Sequence, residues 1–339
     1  MSATEPSPLA SQMLEALEAD LRAATAMLGA GSYAAMAEMV AYHFGWIEGD
    51  ARARGKRIRP LLALLCCGAA GGTWQEALPA ASAIELVHNF SLAHDDIQDQ
   101  SPERRGRPTL WARWGAAQAI NTGDALLALA RLSTFRLRGS GATESTVLEV
   151  QRTLDEACLH LTKGQHLDLA FEARERVTVD EYLEMIEGKT AALVAAATTS
   201  GAALARSAPR LLEAYRDFGR NLGLAFQILD DVLGIWGAPG VTGKPAGDDL
   251  KARKKTLPVL FALEQSAPFR QLWAAGDDSQ GSLGEMTLLL EACGALEHAR
   301  AAAGEHTDRA LDSLDRAHAQ GPAAGELRVL ALRLLQRDR

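Results

Sequence analysis

The stretch from Ile84 to Arg107, I-E-L-V-H-N-F-S-L-A-H-D-D-I-Q-D-Q-S-P-E-R-R-G-R, constrains this chain more than any other. Leu86, Phe90 and Ala93 recur three to four residues apart with no breaker before Pro102, which predicts a helix. Asp95, Asp96 and Asp99 fall near its C-terminal end, where the helix dipole favours cations. Asp95 and Asp99 lie one turn apart on one face, so their carboxylates point the same way. At ~5.5 Å they repel by about 0.7 kcal/mol in water and roughly 3 kcal/mol at an effective dielectric near 20. A bound divalent cation turns that penalty into a gain, whereas a lone D-D-x-x-D is as often solvated surface. Glu103, Arg104, Arg105, Gly106 and Arg107 follow directly. An acidic face beside forked guanidinium donors suits a polyphosphate, which needs both.

With 339 residues the chain is long enough to bury a large core. Its residues are 47% hydrophobic but only 5% aromatic, and alanine and leucine dominate over β-branched types. That composition predicts an all-α protein. The net charge of −8 argues against a general nucleic-acid binder, so an anionic ligand has to be met by local basic clusters. Cys66, Cys67, Cys158 and Cys293 show neither metal-ligand nor redox spacing. With no signal peptide discernible, the thiols are expected to be reduced, in a cytoplasmic protein. The longest uncharged run, Ala191 to Ala205, is 15 residues of mostly small side chains, too short and too polar for a membrane span.

In chain order, residues 1–8 read as a disordered tail and 9–339 as a single domain. Leu9 to Leu28 has an apolar face at Met13, Leu14, Leu17, Leu21 and Met27, and Gly29 and Gly31 close it. Tyr33 to His43 predicts a second helix. A-R-A-R-G-K-R-I-R-P, with five basic residues from Arg52 to Arg59, then feeds an apolar helix from Leu61 to Ala70. A basic loop at a helix N-terminus is an anion site, or else a solvated cap. Leu110 to Ala119 and Ala125 to Leu137 read as two helices with Gly123-Asp124 at their junction, followed by a loop from Gly139 to Thr146. Thr146 to Arg174 predicts a long helix carrying Gln165 and Asp168. Thr178 to Glu187 follows, capped by Thr178 with Glu181 three residues on. G-K-T at 188–190 opens the alanine-rich helix; without upstream glycines or a strand it is not a P-loop.

Arg210 to Gly234 forms a second long helix that delivers F-Q-I-L-D-D-V-L-G, again with acids, Asp230 and Asp231, near a C-terminal end. Gly237 to Lys255 is a glycine- and proline-rich loop with Lys244, Lys254 and Lys255, suited to a lid. Helix resumes at Thr256 and ends with Ala323 to Gln336. No repeat of solenoid period is present.

Taken together, G-K-R-I-R-P, H-D-D-I-Q-D, R-R-G-R-P-T, G-K-T, F-Q-I-L-D-D, and G-K-P followed by D-L-K-A-R-K-K-T-L-P resemble the trans-isoprenyl diphosphate synthases (polyprenyl synthetases), most of all the geranylgeranyl diphosphate synthases. The motifs match in order across residues 55–258. The resemblance implies a helical bundle around a deep central cavity, a homodimer, and two Asp-rich motifs facing each other at the cavity mouth. It implies three magnesium ions with the bound diphosphate, two held by Asp95 and Asp99 and one by Asp230. Arg104, Lys189, Thr190, Gln227, Lys244 and Lys254 then clamp an allylic diphosphate, with Lys189 and Lys244 counted among the catalytic groups. Lys56, Arg59, His88 and Arg105 bind isopentenyl diphosphate. His88 lies two turns before Asp95 on the same face, which supports its assignment independently.

The implied chemistry follows from charge. The allylic C–O bond breaks heterolytically as metals and cations stabilise the departing pyrophosphate. The double bond of isopentenyl diphosphate attacks the carbocation, a proton leaves, and no protein nucleophile is needed. An apolar cavity keeps water from the cation. One departure stands out: the family's second motif ends in a third Asp, and here that position is Gly234. Asp230 is kept, so activity is expected to survive; Asp248 and Asp249 are further acids, and Asp249 matches the family Asp of that loop. Phe90 and Ser91, the fifth and fourth residues before Asp95, are the expected chain-length residues. An aromatic followed by a small residue resembles the enzymes that make the twenty-carbon product. A farnesyl or longer-chain synthase, a class I terpene cyclase and a non-catalytic synthase subunit are the alternatives.

Overall fold

The computed structural model describes residues 7–48, 53–237, 247–277 and 279–335. The segment 238–246, with Lys244, and also Arg52, residues 1–6 and Gln336 lie outside the described residues. Strong helix formers yield helix nearly throughout. The first four helices are α1 (Pro8–Thr25), α2 (Ala34–His43), α3 (Ile58–Ala69) and α4 (Leu78–Gln98). A hairpin of β1 (Glu103–Arg104) and β2 (Arg107–Pro108) comes next. Then follow α5 (Leu110–Trp114), α6 (Ala116–Phe135), α7 (Glu144–Ala173), α8 (Val179–Ile186), α9 (Ala192–Leu204) and α10 (Pro209–Trp236). The chain ends with α11 (Asp248–Lys251), α12 (Leu257–Gln265), α13 (Ala267–Ala275), α14 (Gln280–Ala292), α15 (Ala295–Arg316) and α16 (Gly321–Leu335). No described helix is long and apolar enough to cross a membrane.

Contacts divide the chain into two compact units, one of Met1–Glu156, Ala196–Tyr215 and Ala317–Leu327, the other of Ala157–Ala195, Arg216–Arg316 and Arg328–Arg339. In the first unit α4 is central. Every residue from Pro79 to Val87 is buried, as a helix enclosed by α1, α3 and α6 requires. Its outer end rests on a small cluster of Met39, Tyr42, Ala93, Leu110 and Ala119. In the second unit, Phe171, Tyr182, Ile186, Leu224, Ile228, Leu260 and Ala299 form one cluster. Ile235, Leu250, Val259, Phe269, Met286 and Leu290 form another.

In the first unit two local expectations need correction. The R-R-G-R segment is an antiparallel hairpin, pairing Glu103 with Pro108 and Arg104 with Arg107. Arg105 (φ 55°) and Gly106 (φ 73°) both turn left-handed, the geometry of a two-residue hairpin loop. Gly123-Asp124 is not a helix junction: α6 runs through it, and the break comes earlier at Gly115 (φ 84°). Gly123 sits mid-helix because a Cβ there would lie 2.4 Å from the His94 ring. The capping box expected at Thr178 and Glu181 is present, each residue bonding the other's backbone N–H.

Candidate active site

In the first unit, α4 carries the acids and the hairpin brings arginine back to them. Asp99 caps α4, its N–H donating to the Asp95 carbonyl at 2.8 Å; Asp95 is half-buried and Asp99 exposed. Asp96 turns inward, 1% exposed, and accepts from Arg104 Nε at 2.8 Å and Nη2 at 2.7 Å. Burial raises the Asp96 pKa and the guanidinium opposes the shift. The middle acid therefore anchors Arg104 beside Asp95 and Asp99. Arg105 points elsewhere, donating to the Ala53 carbonyl at 2.9 Å. Arg107 lies over the Tyr42 ring at 3.8 Å and donates to Tyr42 and Ile47 carbonyls.

The basic loop behaves in two ways. Lys56 is exposed, whereas Arg57 is buried between Glu18 (2.8 Å) and Glu85 (2.7 Å). Arg59 Nη1 lies 3.4 Å from His88 Nε2. Burial, then Arg59 and Arg105, hold the His88 pKa well below its ordinary value, so this imidazole is neutral near pH 7 and its Nε2 accepts from Arg59. Ser91 is buried with its hydroxyl donating to the His88 carbonyl, and half-buried Phe90 meets His94 edge-on at 4.9 Å.

His43, which sequence reasoning passed over, contacts the Asn89 carbonyl at 3.1 Å, and burial, then Arg104 and Arg105, lower its pKa to about 3. Its unfolded value is 6.5, so the neutral form favours the fold. Stability from His43 is full above about pH 6.5 and is lost as pH falls towards 3, by up to ~1.4 kcal/mol per unit. The urea midpoint should fall more steeply between about pH 6.5 and 4.5 in the wild type than in His43→Gln. Parallel profiles would count against this assignment.

In the second unit, G-K-T does not simply open a helix. Glu187–Ala191 is a single π turn between α8 and α9, a widening often found at functional sites. Lys189 Nζ donates to Asp168 Oδ2 at 2.5 Å. Thr190 donates to Gln227 Oε1 at 2.6 Å, and Gln227 Nε2 donates to Asp231 Oδ1 at 2.9 Å. The Tyr182 hydroxyl donates to Asp231 Oδ2 at 2.7 Å. Asp231 is buried, and burial, then Asp249, raise its pKa to about 7. Asp230, one residue earlier, is half-buried near the end of α10. Lys254 Nζ lies 3.9 Å from Asp249 Oδ1. Asp168, Tyr182 and Asp231 are thus residues that the motifs left without a role. Asp168 stands out on the long helix, but only folding brings it to Lys189.

The arrangement offers hard oxygen donors, neutral imidazole and several cations in local clusters, and no nucleophile–base pair among the residues just described. The Polyprenyl synthetase family profile matches residues 47–286. A (2E,6E)-farnesyl diphosphate synthase of Mycobacterium tuberculosis is 42% identical over 317 residues, 89% of this chain and 86% of that protein. A geranylgeranyl diphosphate synthase of the same organism is 46% identical over 232 residues, 67% of this chain and 65% of its own. The crystal structure of a polyprenyl synthetase from Streptomyces coelicolor superposes with a TM-score of 0.87 at 36% identity, covering 96% of this chain and 98% of that one. Charge clusters, helical architecture and kinship converge: the chain belongs to the polyprenyl synthetase family and is a trans-prenyltransferase.

Proposed function

We propose that this enzyme joins isopentenyl diphosphate to an allylic prenyl diphosphate with release of pyrophosphate, and that its main product is geranylgeranyl diphosphate. The observation carrying the proposal is the end of α4, where Arg104 engages Asp96 and Asp95 and Asp99 frame the pair. Asp95, Asp99 and, in the second unit, Asp230 are assigned to magnesium. Among the described residues no group of three or more His, Cys, Asp or Glu makes a metal cage of protein atoms alone. Sparse carboxylates of this kind fit magnesium, which keeps waters and takes one or two carboxylates together with substrate phosphate. When bound, the ions supply Lewis-acid stabilisation of the leaving pyrophosphate.

Arg104, Lys189, Thr190, Gln227, Lys254 and Lys244 are assigned to the allylic diphosphate, and Lys56, Arg59, His88 and Arg105 to isopentenyl diphosphate. Asp168 holds Lys189, and the Gln227–Asp231–Tyr182 chain holds Thr190. Neutral His88 can donate through Nδ1 while Arg59 keeps its charge. A terpene cyclase has no use for this second diphosphate set.

Product length is assigned to Phe90, with Ser91 small and buried beside it. Incubation with magnesium, isopentenyl diphosphate and each allylic primer should give twenty-carbon chains. Phe90→Ala should shift the main product longer by at least about one five-carbon unit; an unchanged length would refute the stop assignment. The farnesyl reading draws on the 317-residue match to a farnesyl synthase, and exclusive fifteen-carbon product would establish it. A homodimer is also proposed, supported by Ile120, Leu132 and Phe135, 43–50% exposed on α6, and sedimentation as a monomer would refute it. Four free cysteines suit a cytoplasmic location.

A further inference from the structure

Two helices meet the π turn of G-K-T at backbone distance, and each does so at a glycine. A Cβ built on Gly164 of α7 would overlap the Lys189 nitrogen and lie 2.7 Å from the Gly188 carbonyl carbon and 2.8 Å from the Lys189 Cα. From the side of the turn, a Cβ on Gly188 would lie 2.7 Å from the carbonyl oxygen of His160, one helical turn before Gly164. A Cβ on Gly223 of α10 would lie 2.6 Å from the Ala191 Cα. These neighbours are main-chain atoms, which cannot swing aside as the end of a side chain can. Glycine is a poor helix former, so its presence inside two long helices costs stability that a close crossing has to offset.

The same two helices hold the polar side chains of the turn. Asp168 lies one turn beyond Gly164 on the same face of α7 and accepts from Lys189. Gln227 lies one turn beyond Gly223 on α10 and accepts from Thr190. Arg220, one turn before Gly223, grips Glu187 with two hydrogen bonds of 2.6 and 2.7 Å. Glu187 opens the π turn, and its carbonyl accepts from the Ala192 N–H five residues on. We propose that Gly164 and Gly223, with Arg220 as a third grip, are positioning residues: they hold the π turn so that Lys189 and Thr190 present their polar ends to the allylic diphosphate. This rests on the reading of Lys189 and Thr190 as clamp residues.

Alanine at either glycine forces main chains apart by about an ångström, a displacement that can cost ~100-fold in a positioned site. The test measures dissociation constants for geranyl diphosphate with magnesium, and separately for isopentenyl diphosphate, by calorimetry. Gly164→Ala and Gly223→Ala should each weaken geranyl diphosphate binding ~10-fold or more and leave isopentenyl diphosphate within about twofold. Gly304→Ala on α15, where a Cβ meets nothing within 4 Å, is the control and should change neither. Arg220→Gln removes a pair whose side chains are 46% and 43% exposed, so it keeps the fold and should weaken geranyl diphosphate binding ~2- to 5-fold. In a Lys189→Met, Thr190→Val background, none of the three changes should weaken that binding further. Equal losses for both ligands, or full additivity in that background, would overturn the proposal. So would unaltered binding by Arg220→Gln, the variant that decides the matter if alanine at the glycines prevents folding. Undiminished geranyl diphosphate binding by the Lys189→Met, Thr190→Val enzyme alone would instead overturn the clamp reading.

Discussion

Replacing Asp95 by alanine is expected to reduce kcat on the order of 10³-fold while leaving the melting temperature nearly unchanged. Asp95 is half-buried at the end of α4, so its removal opens no cavity in the core. What is lost is a fixed negative group that the proposed magnesium and diphosphate need. A loss of that size is about 4 kcal/mol of transition-state stabilisation. Asp96→Asn makes the informative contrast. Asp96 is 1% exposed and bound by Arg104, so its change should cost stability as well as rate. Turnover with isopentenyl diphosphate and an allylic primer, measured beside thermal melting, distinguishes the two. Near-normal turnover of Asp95→Ala would remove the foundation of the metal assignment.

The second large effect falls on stability. Arg57→Ala should lower the unfolding free energy by about 3–5 kcal/mol, because it leaves two carboxylates facing each other inside the protein. Arg57 and Glu85 side chains are each 4% exposed, and Glu18 is 24% exposed. Glu85 also accepts from the Asn89 amide at 2.8 Å, and Glu18 from the Trp46 indole at 2.7 Å. Burial alone would lower the Arg57 pKa, but Glu85 and Glu18 hold it above the ordinary arginine value. The residue also adopts φ 48°, immediately before α3. Urea unfolding of Arg57→Ala, and of Arg57→Leu paired with Glu85→Leu, tests this. The pair should recover part of the loss, since apolar replacement of a buried ion pair is often tolerated. A loss below ~1 kcal/mol for Arg57→Ala would show that Glu18 and Glu85 find other partners.

These two sites differ in how legible they were. Asp95 and Asp99 stood out because one helical turn separates them and the dipole disfavours acids there, facts carried by neighbouring residues. The capping box at Thr178 was readable for the same reason. Arg57 was read merely as part of a basic loop, because nothing within its own segment announces Glu18 and Glu85. The hairpin at Arg104–Arg107 was missed because a left-handed arginine, Arg105, occupies its turn. Gly123 was misread as a junction because the reason for glycine is a histidine on another helix.

By itself, then, the sequence determined the helical class, most helix boundaries, the acid and base clusters and the family they resemble. Each depends on periodicity, capping or motif order, and those interactions operate over a few residues. Only the tertiary structure decided which acid is committed to which donor: Asp96 to Arg104, Asp231 to Tyr182 and Gln227, Asp168 to Lys189. Burial sets the cost of an unpaired charge, and burial arises when distant segments pack, so partners chosen by that cost are not written in any one stretch of the chain.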